Sequence, residues 1–210
     1  MVKISNSDFE EFSKRKRAAF INSLSGYKAL NLIGSISADG KTNVSIISSA
    51  FHLGSDPALL GFIIRPDLSP RHTLDNLREN KVCTFNHVNE KIYKKAHQTS
   101  ARYDRSESEF DHCGLTEDYR DDFVAPFVAE SQISISLEFQ REIIIEENGT
   151  HLIIAKVKDV YLPEDAMEAD GFINLAKAGT VCGSGLDSYH TTEVLSRLSY
   201  AKPFTEAKVL

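Results

Sequence analysis

Two long segments joined by Asn148-Gly149 constrain the fold of this chain more than any other feature. They run from Ser131 to Glu146 and from His151 to Leu162. In the first segment apolar residues alternate with Ser and Glu, which is the period of a strand with one buried face. Asn-Gly is a strong signal for a tight turn between two strands. The sequence therefore predicts a long antiparallel hairpin in the second half of the chain.

The first half of the chain contains further strand-like segments that are separated by short turns. Asp39-Gly40 has the form of a hairpin turn, and Asp56-Pro57 lies in a second turn. Because short turns join antiparallel neighbours, we expect the first three of these strands to form a meander. The predicted strands are Leu30 to Ser37, Asn43 to Leu53, Ala58 to Arg65 and Lys81 to Val88.

The remaining segments predict helices and loops around the strands. Ser7 and Glu10 have capping-box spacing, which predicts an N-terminal helix ending near Gly26. A loop over 66–70 precedes a short helix over 71–77, and the polar segment 89–129 reads as helix and loop, with a second capping box at Ser106 and Glu109. The C-terminal part after residue 165 is irregular. The fold class is therefore mainly β, an antiparallel barrel with peripheral helices.

Length and composition favour one globular unit. The chain has 210 residues, 41% of them hydrophobic, and a net charge of -6. We expect residues 1–26 to form the N-terminal helix and 27–210 a single domain.

The acidic balance argues against non-specific nucleic-acid binding, and no apolar run has the roughly 20 residues that cross a bilayer. Three dispersed cysteines fit a reducing compartment, so we expect a cytoplasmic location.

The common catalytic and metal-binding motifs are absent from the sequence. The seven histidines include no pair four residues apart with the glutamate of a zinc protease, and no pair of cysteines has zinc-ribbon spacing. No Gly-x-Gly-x-x-Gly follows a predicted strand, and no Gly-x-Ser-x-Gly elbow is present. We therefore predict no metal site and no catalytic side chain.

The segment from Asn43 to Phe51 carries an unusual number of small polar residues for a strand. Its serines and Asn43 could offer hydrogen bonds to a flat heteroaromatic ring or to a phosphate. The same pattern also fits a strand with one solvated serine face, since antiparallel sheets often expose one face. The residues alone leave both interpretations open.

A second candidate site combines Arg65 with Arg71, His72 and Thr73. A helix that begins at Thr73 would present unpaired N–H groups and a partial positive charge, which attract phosphate. Arg71 could add a bidentate contact. An ordinary helix cap flanked by surface arginines explains the same residues, so this site also stays open on the pattern alone.

Four segments in order resemble the flavin reductase-like family of FMN-binding split barrels, which is related to the pyridoxamine phosphate oxidase type. The resemblance extends from about Leu30 to about Pro203. Its motifs are Asn43 to Phe51 with Asp56-Pro57, Phe62 to Arg65 with His72-Thr73-x-x-Asn76, Ser108-Glu109-Phe110 with Cys113-Gly114-Leu115, and Pro126 to Ser131. The resemblance implies an antiparallel split β-barrel.

The resemblance also implies a cofactor site at the interface of a homodimer. FMN would place its ring and ribityl chain against the second strand, its phosphate at the helix start, and its ring border near Asn86 or His87. The cofactor-binding residues implied are Asn43, Ser45, Ser48, Ser49, Arg65, Arg71, His72, Thr73, Asn86 and His87.

The activity that the resemblance implies is transfer of hydride from NAD(P)H to the flavin, with the chemistry supplied by the cofactor. NAD(P)H would then be the co-substrate, and a protein could be the final electron acceptor. An alternative is an FMN electron carrier, similar to a flavoredoxin, that a protein partner reduces. A non-catalytic binding barrel is the third possibility. Neither nucleic acid nor a membrane is an expected partner.

Overall fold

The predicted long hairpin lies at the centre of the main sheet. The structure is a computed structural model that describes residues 1–66 and 71–210, so most of the predicted loop 66–70 lies outside the described residues. Strands β9 (Ser134–Ile145) and β10 (Thr150–Tyr161) have twelve residues each and pair from Ile145 opposite Thr150. Gly149 takes a positive φ of 70° in the turn, which an Asn-Gly turn requires. The hairpin prediction is confirmed.

The other elements follow in chain order. The helices are α1 (Asn6–Glu10), α2 (Lys14–Ser23), α3 (His72–Asn80), α4 (Tyr93–Gln98) and α5 (Glu109–Cys113), with one 3₁₀ turn at Glu164–Ala166. The strands before β9 are β1 (Lys28–Ala29), β2 (Asn31–Ile36), β3 (Thr42–Ile47), β4 (Phe51–Ser55), β5 (Ala58–Ile64), β6 (Val82–His87), β7 (Glu117–Asp118) and β8 (Phe127–Val128). Strands β11 (Cys182–Ser184) and β12 (Ser188–His190) follow β10.

The main sheet is antiparallel and has the order β3-β2-β6-β9-β10-β5-β4. The predicted strand from Asn43 to Leu53 is wrong, because the chain breaks at 48–50 into β3 and β4 at opposite edges of this sheet. The predicted meander is wrong for the same reason. The Ser49 hydroxyl takes the place of a strand pair: it donates to the carbonyl of Ile63 and accepts from its N–H, both at 3.0 Å. Because Ser49 follows edge strand β3 and Ile63 lies in β5, next to the other edge strand β4, this contact brings the two edges of the curled sheet together. The barrel is split between these two edges.

Helix α3 packs on the inner face of the curled sheet. Leu74 and Leu77 are fully buried there against Phe62 and Phe85, whose rings meet edge to face at 5.0 Å. The polar side of the helix also faces the sheet, because Asn76 donates to the hydroxyl of Ser35 at 3.1 Å. The helix therefore closes the interior with apolar residues and with hydrogen bonds.

The outer edge of β3 is covered by side chains from the helical insertion. The N–H of Val44 donates to the carboxylate of Glu109 at 3.3 Å, and the N–H of Ile46 donates to the Thr99 hydroxyl at 2.9 Å. Edge strands need such protection because their unpaired N–H groups attract other strands. The predicted capping box of Ser106 with Glu109 is wrong: α5 begins at Glu109 itself, whose side chain faces β3 instead.

The N-terminal segment forms two helices where the sequence predicts one. Ser5 caps α1 and forms a capping box with Asp8, so the predicted box from Ser7 to Glu10 is wrong. Ser13 accepts from the N–H of Lys16 and starts α2, which is why the segment divides at this point. The ring centroid of Phe20 lies 5.9 Å from that of Phe9 and 5.6 Å from that of Phe12, so aromatic packing holds the two helices together.

The C-terminal part is mostly irregular, as predicted, but it also builds a small sheet in the order β1-β11-β12. Lys28 pairs with Gly183 and Ala29 with Cys182, so this sheet connects the start of the barrel to its end. Strands of two or three residues carry no readable period, which explains why the sequence pattern missed them. The domain boundary at residue 27 stays a prediction.

Over residues 1–66 and 71–210, no helix has the length and apolar character needed to cross a membrane.

Gly34 allows the 126–128 segment to lie directly on strand β2. A Cβ at this position would meet the carbonyl oxygen of Pro126 at 2.0 Å and the hydroxyl of Thr84 at 2.5 Å. We expect Gly34→Ala to lower the free energy of unfolding by about 2–4 kcal/mol, the scale of overpacking and lost backbone contacts. Chemical denaturation would measure it, with Gly54→Ala as control, because the nearest atom there lies at 3.3 Å. Equal losses in both variants would contradict this account.

Candidate functional site

The N-terminus of helix α3 is the centre of the candidate site. The helix begins at His72, one residue after the start of the predicted range 71–77 and one residue before Thr73, and Arg71 is its N-cap residue. The carbonyl of Arg71 accepts from the N–H groups of Leu74 at 2.8 Å and Asp75 at 3.0 Å, but its side chain does not cap the helix. Among the described residues, no side chain accepts from the N–H groups of His72 or Thr73. These N–H groups and the helix dipole suit an anion.

Two arginines flank this helix end along the chain. Arg65 is exposed just after β5, and the Nε of Arg71 donates to the carbonyl of Pro66, the residue that follows Arg65, at 3.0 Å. His72 is half-buried, and burial, followed by the nearby charge of Arg105, lowers its pKa. The ring of His72 is therefore mainly neutral at neutral pH, and the positive charge of the site comes from the arginines.

Ser48 and Ser49 lie in the split between β3 and β4. Ser48 is exposed there, whereas the Ser49 hydroxyl already donates to and accepts from the backbone of Ile63. The two neighbouring serines therefore differ in whether their hydroxyls are available for a hydrogen bond to a ligand. The exposed side chain of Ser48 is open to a ligand, and the side chain of Ser49 maintains the shape of the split.

Asn43, Ser45 and Thr73 form a buried polar cluster between β3 and α3. The hydroxyls of Ser45 and Thr73 lie 2.8 Å apart, and the Asn43 amide lies 3.0 Å from the Thr73 hydroxyl. Asn43 and Thr73 are 5% and 8% exposed, so these groups bind mainly one another. The geometry gives them a positioning role, because they fix the start of α3 against the sheet. Direct contact of their side chains with a cofactor stays a prediction.

Sequence reasoning did not assign Ser35, although it lies under the same cluster. Ser35 is fully buried and accepts from Asn76, while the Asn76 Oδ1 atom has no partner among the described residues. The spacing of Thr73 and Asn76 places both on one helix face, which is the signal that could have found the cluster.

Asn86 lies on the opposite face of the sheet from this cluster. It pairs with Leu32, whereas Ser45 pairs with Ile33 and Asn43 with Ser35, two residues of β2 that point to the other face. Its amide donates to the carbonyl of Leu32 at 3.2 Å, and its Oδ1 accepts from the N–H of Val128 at 3.0 Å. The structure therefore does not bring Asn86 together with the other candidates.

His87 is half-buried, and its Nδ1 lies 3.2 Å from the hydroxyl of Thr180. Burial lowers the pKa of this histidine to about 4, so the ring is neutral over the physiological range. As an uncharged ring it could border a ligand without competing for the phosphate, and that role stays a prediction.

Lys28 is a cationic residue that sequence reasoning did not consider. It is half-buried in β1, and its ammonium group donates to the carbonyl of Gly185 at 2.9 Å. Burial first, and the positive charge of Arg65 second, lower the pKa of Lys28. No pattern in the sequence could have found it, because a lone lysine in a two-residue strand carries no signal.

The family model described as flavin reductase like domain matches residues 28–178. The chain belongs to the flavin reductase-like family. A solved candidate flavin reductase with a split barrel domain from Shewanella frigidimarina NCIMB 400 is 48% identical, with a TM-score of 0.93 over 96% of this chain and 100% of that one. The predicted family resemblance and the predicted split-barrel fold are therefore confirmed, and the function of the protein is related to flavin.

Two more distant structures share the fold of this flavin reductase-like protein. The flavoredoxin of Desulfovibrio vulgaris (Miyazaki F) is 20% identical, with a TM-score of 0.73 over 97% of this chain and 98% of its own. An FMN-binding protein from Thermus thermophilus, solved with bound 1-cyclohex-2-enone, is 14% identical, with a TM-score of 0.66 over 80% of this chain and 88% of its own. At these identities the likeness concerns the fold alone.

The lowered pKa of His87 makes the free energy of unfolding of this flavin reductase-like protein depend on pH. The unfolded chain binds a proton at this residue near the usual value of 6.5, whereas the folded protein binds it only near 4. The unfolded state therefore binds more protons between these values, and the free energy of unfolding falls as the pH falls. We expect the decrease from pH 7 to pH 4 to be about 2–3 kcal/mol smaller in His87→Gln than in the wild type.

Urea denaturation at a series of pH values would measure this difference. His52→Gln is the control, because His52 is exposed on β4 and should leave the pH dependence as it is in the wild type. Parallel stability curves for His87→Gln and the wild type would show that burial of His87 does not have the assigned effect.

Proposed function

We propose that this protein binds FMN and uses NAD(P)H to reduce it. The observation that carries this proposal is the N-terminus of α3, which lacks a side-chain cap among the described residues and lies beside Arg65 and Arg71 in a chain of the flavin reductase-like family. A phosphate ester would accept from the N–H groups of His72 and Thr73 and from the arginines.

The donor set fits FMN better than a flavin without a phosphate. The two arginines and the helix dipole all favour a compact anion, in a chain whose net charge is -6. The exposed Ser48 lies at the split, where it can donate to or accept from polar atoms of the ring or ribityl chain. The bound flavin would supply the acceptor for a hydride.

The protein's own part in this reaction is binding and orientation. Thr73 and Ser45 hold the start of α3 in place, and Ser49 fixes the segment between β3 and β4 against the backbone of Ile63. No side chain has to act as an acid or a base, because hydride transfer between a nicotinamide and a flavin is chemistry of the two cofactors.

An FMN electron carrier is the second candidate function. The likeness of the fold to the Desulfovibrio vulgaris flavoredoxin favours this alternative, and the same phosphate site would serve both functions. The two differ in the electron donor, which is a nicotinamide for a reductase and a reduced protein for a carrier.

We also propose that the protein acts as a homodimer in the cytoplasm. Phe51 and Leu53 of edge strand β4 are 41% and 44% exposed, and apolar side chains on an open sheet edge favour burial against another chain. Three cysteines without a disulfide among the described residues fit a reducing compartment.

The visible absorption spectrum of the protein incubated with FMN, before and after NADH or NADPH is added without oxygen, tests the proposed function. We expect flavin bands that remain with the protein after gel filtration and are bleached by one of the nicotinamides. FMN with nicotinamide but without protein is the control. Bands that persist with both nicotinamides, but bleach with a reduced ferredoxin, would favour the carrier. Absence of bound flavin would overturn both candidates.

A further inference from the structure

The segment 191–210, called the C-terminal arm below, forms a small hairpin in which no residue is buried. Leu198 lies opposite Val209, and Lys202 lies opposite Thr205. A two-stranded hairpin without apolar packing is only marginally stable in water. The arm therefore has the structure of a packed element but lacks the contacts that would hold it. Its exposed large apolar side chains include Leu195, Leu198, Tyr200, Phe204, Val209 and Leu210.

The arm is attached to the rest of the chain through the side chain of Arg197. The guanidinium group donates to the carboxylates of Glu168 and Asp170, and it lies 4.2 Å from the ring centroid of Phe172. Among the described residues, the other hydrogen bonds of the arm join arm residues to one another. The ion pairs thus fix the base of the arm and leave its apolar side chains uncovered.

Phe204 shows that the arm is shaped for a contact outside its own chain. Its φ is 60°, in the left-handed region that bulky residues avoid. Its side chain is also fully exposed. Asn or Gly would make the same turn at a lower conformational cost. A strained and solvated aromatic ring lowers the free energy of the protein only when another surface covers it.

The edge strands of the main sheet differ in how they are protected, and this difference indicates where the arm docks. Side chains of Glu109 and Thr99 accept from the N–H groups of β3. Strand β4 pairs with β5, and no other described residue forms a hydrogen bond with its backbone. Phe51 and Leu53 are exposed on this strand. An open edge with apolar side chains favours contact with another chain.

Area and charge favour a second copy of this chain as that partner. Two aromatic side chains such as Tyr200 and Phe204 cover about 300–500 Å². In a two-fold dimer each protomer supplies one arm and receives another, so these rings account for much of the roughly 800 Å² that each partner buries in a stable interface. The arm carries three cationic and two acidic side chains, whereas the whole chain carries 24 and 30. A basic arm would therefore meet an acidic surface.

We propose that the C-terminal arm of each protomer docks on edge strand β4 of a second copy. This inference rests on the proposed homodimer and deepens it, because it names the segment that joins the two protomers. It does not depend on the proposed binding of FMN or NAD(P)H. The reciprocal contact buries the apolar side chains of the arm and closes the open edge of both sheets.

Sedimentation equilibrium of the double variant Tyr200→Ser/Phe204→Asn tests the role of the arm. We expect the dimer to dissociate at least about 30-fold more readily than the wild type, the scale of lost interface anchors. Far-UV circular dichroism should stay unchanged, because Asn tolerates the φ of residue 204. Val124→Ser, at an exposed position between β7 and β8, is the control. An unchanged dissociation constant in the double variant would overturn the inference and leave the proposed homodimer in place.

Cross-linking with a short bismaleimide tests the receiving strand and the identity of the partner. Leu53→Cys and Tyr200→Cys are made in separate chains that also carry Cys182→Ser, because Cys182 is the one natural cysteine that is not buried. After the two proteins are mixed and exchange protomers, we expect covalent dimers that join the two variants. A mixture of Val124→Cys with Tyr200→Cys is the control and should give none.

The remaining outcomes separate the inference from the proposals on which it rests. No covalent dimer in the mixture of Leu53→Cys with Tyr200→Cys would overturn docking on β4, even if the wild type is a dimer. A wild type that is monomeric at every concentration would overturn both the inference and the proposed homodimer. The flavin spectrum described above would then still decide whether the protein binds and reduces FMN.

Discussion

The hydrogen bond between the hydroxyls of Ser45 and Thr73 determines where the functional end of helix α3 lies. It joins the first turn of the helix to the edge strand β3 beside the buried side chains of Asn43 and Thr73, where burial strengthens polar contacts. Leu74 and Leu77 then anchor the rest of the helix in the apolar interior. Because the helix cannot rotate without breaking one set of contacts or the other, its first N–H groups keep one direction.

The split in the barrel and the charges around it depend on this arrangement. Residues 48–50 carry the chain from one edge of the sheet to the other, and two hydrogen bonds from the Ser49 hydroxyl to the backbone of Ile63 set the shape of the split. Strand β5 ends close to the start of α3, because the Arg71 side chain donates to the carbonyl of Pro66, the residue that follows Arg65. In an acidic protein, a helix N-terminus with arginines on both sides of it in this part of the chain is the physical basis for proposing a phosphate ligand there.

The sequence was most informative where one local signal decides the structure. Asn148-Gly149 predicted the central hairpin, and four weak motifs in the correct order predicted the family and the split barrel. The period-two pattern of residues 43–53 could not reveal that this segment divides into two strands at opposite edges of the sheet, because side chains alternate between the two faces in the same way in both strands. The face of Asn86 depends on register, and the neighbours of Lys28 depend on a three-stranded sheet too short to predict. These features are set by tertiary contacts that no local pattern encodes.

A crystal structure of the protein with FMN would show whether the start of α3 and the arginines near it hold the phosphate. We expect the phosphate within hydrogen-bond distance of the backbone N–H groups of His72 and Thr73, with the side chain of Arg65 in contact. A phosphate bound on the opposite face of the sheet, near Asn86, or a flavin whose phosphate touches neither the helix end nor Arg65, would contradict it.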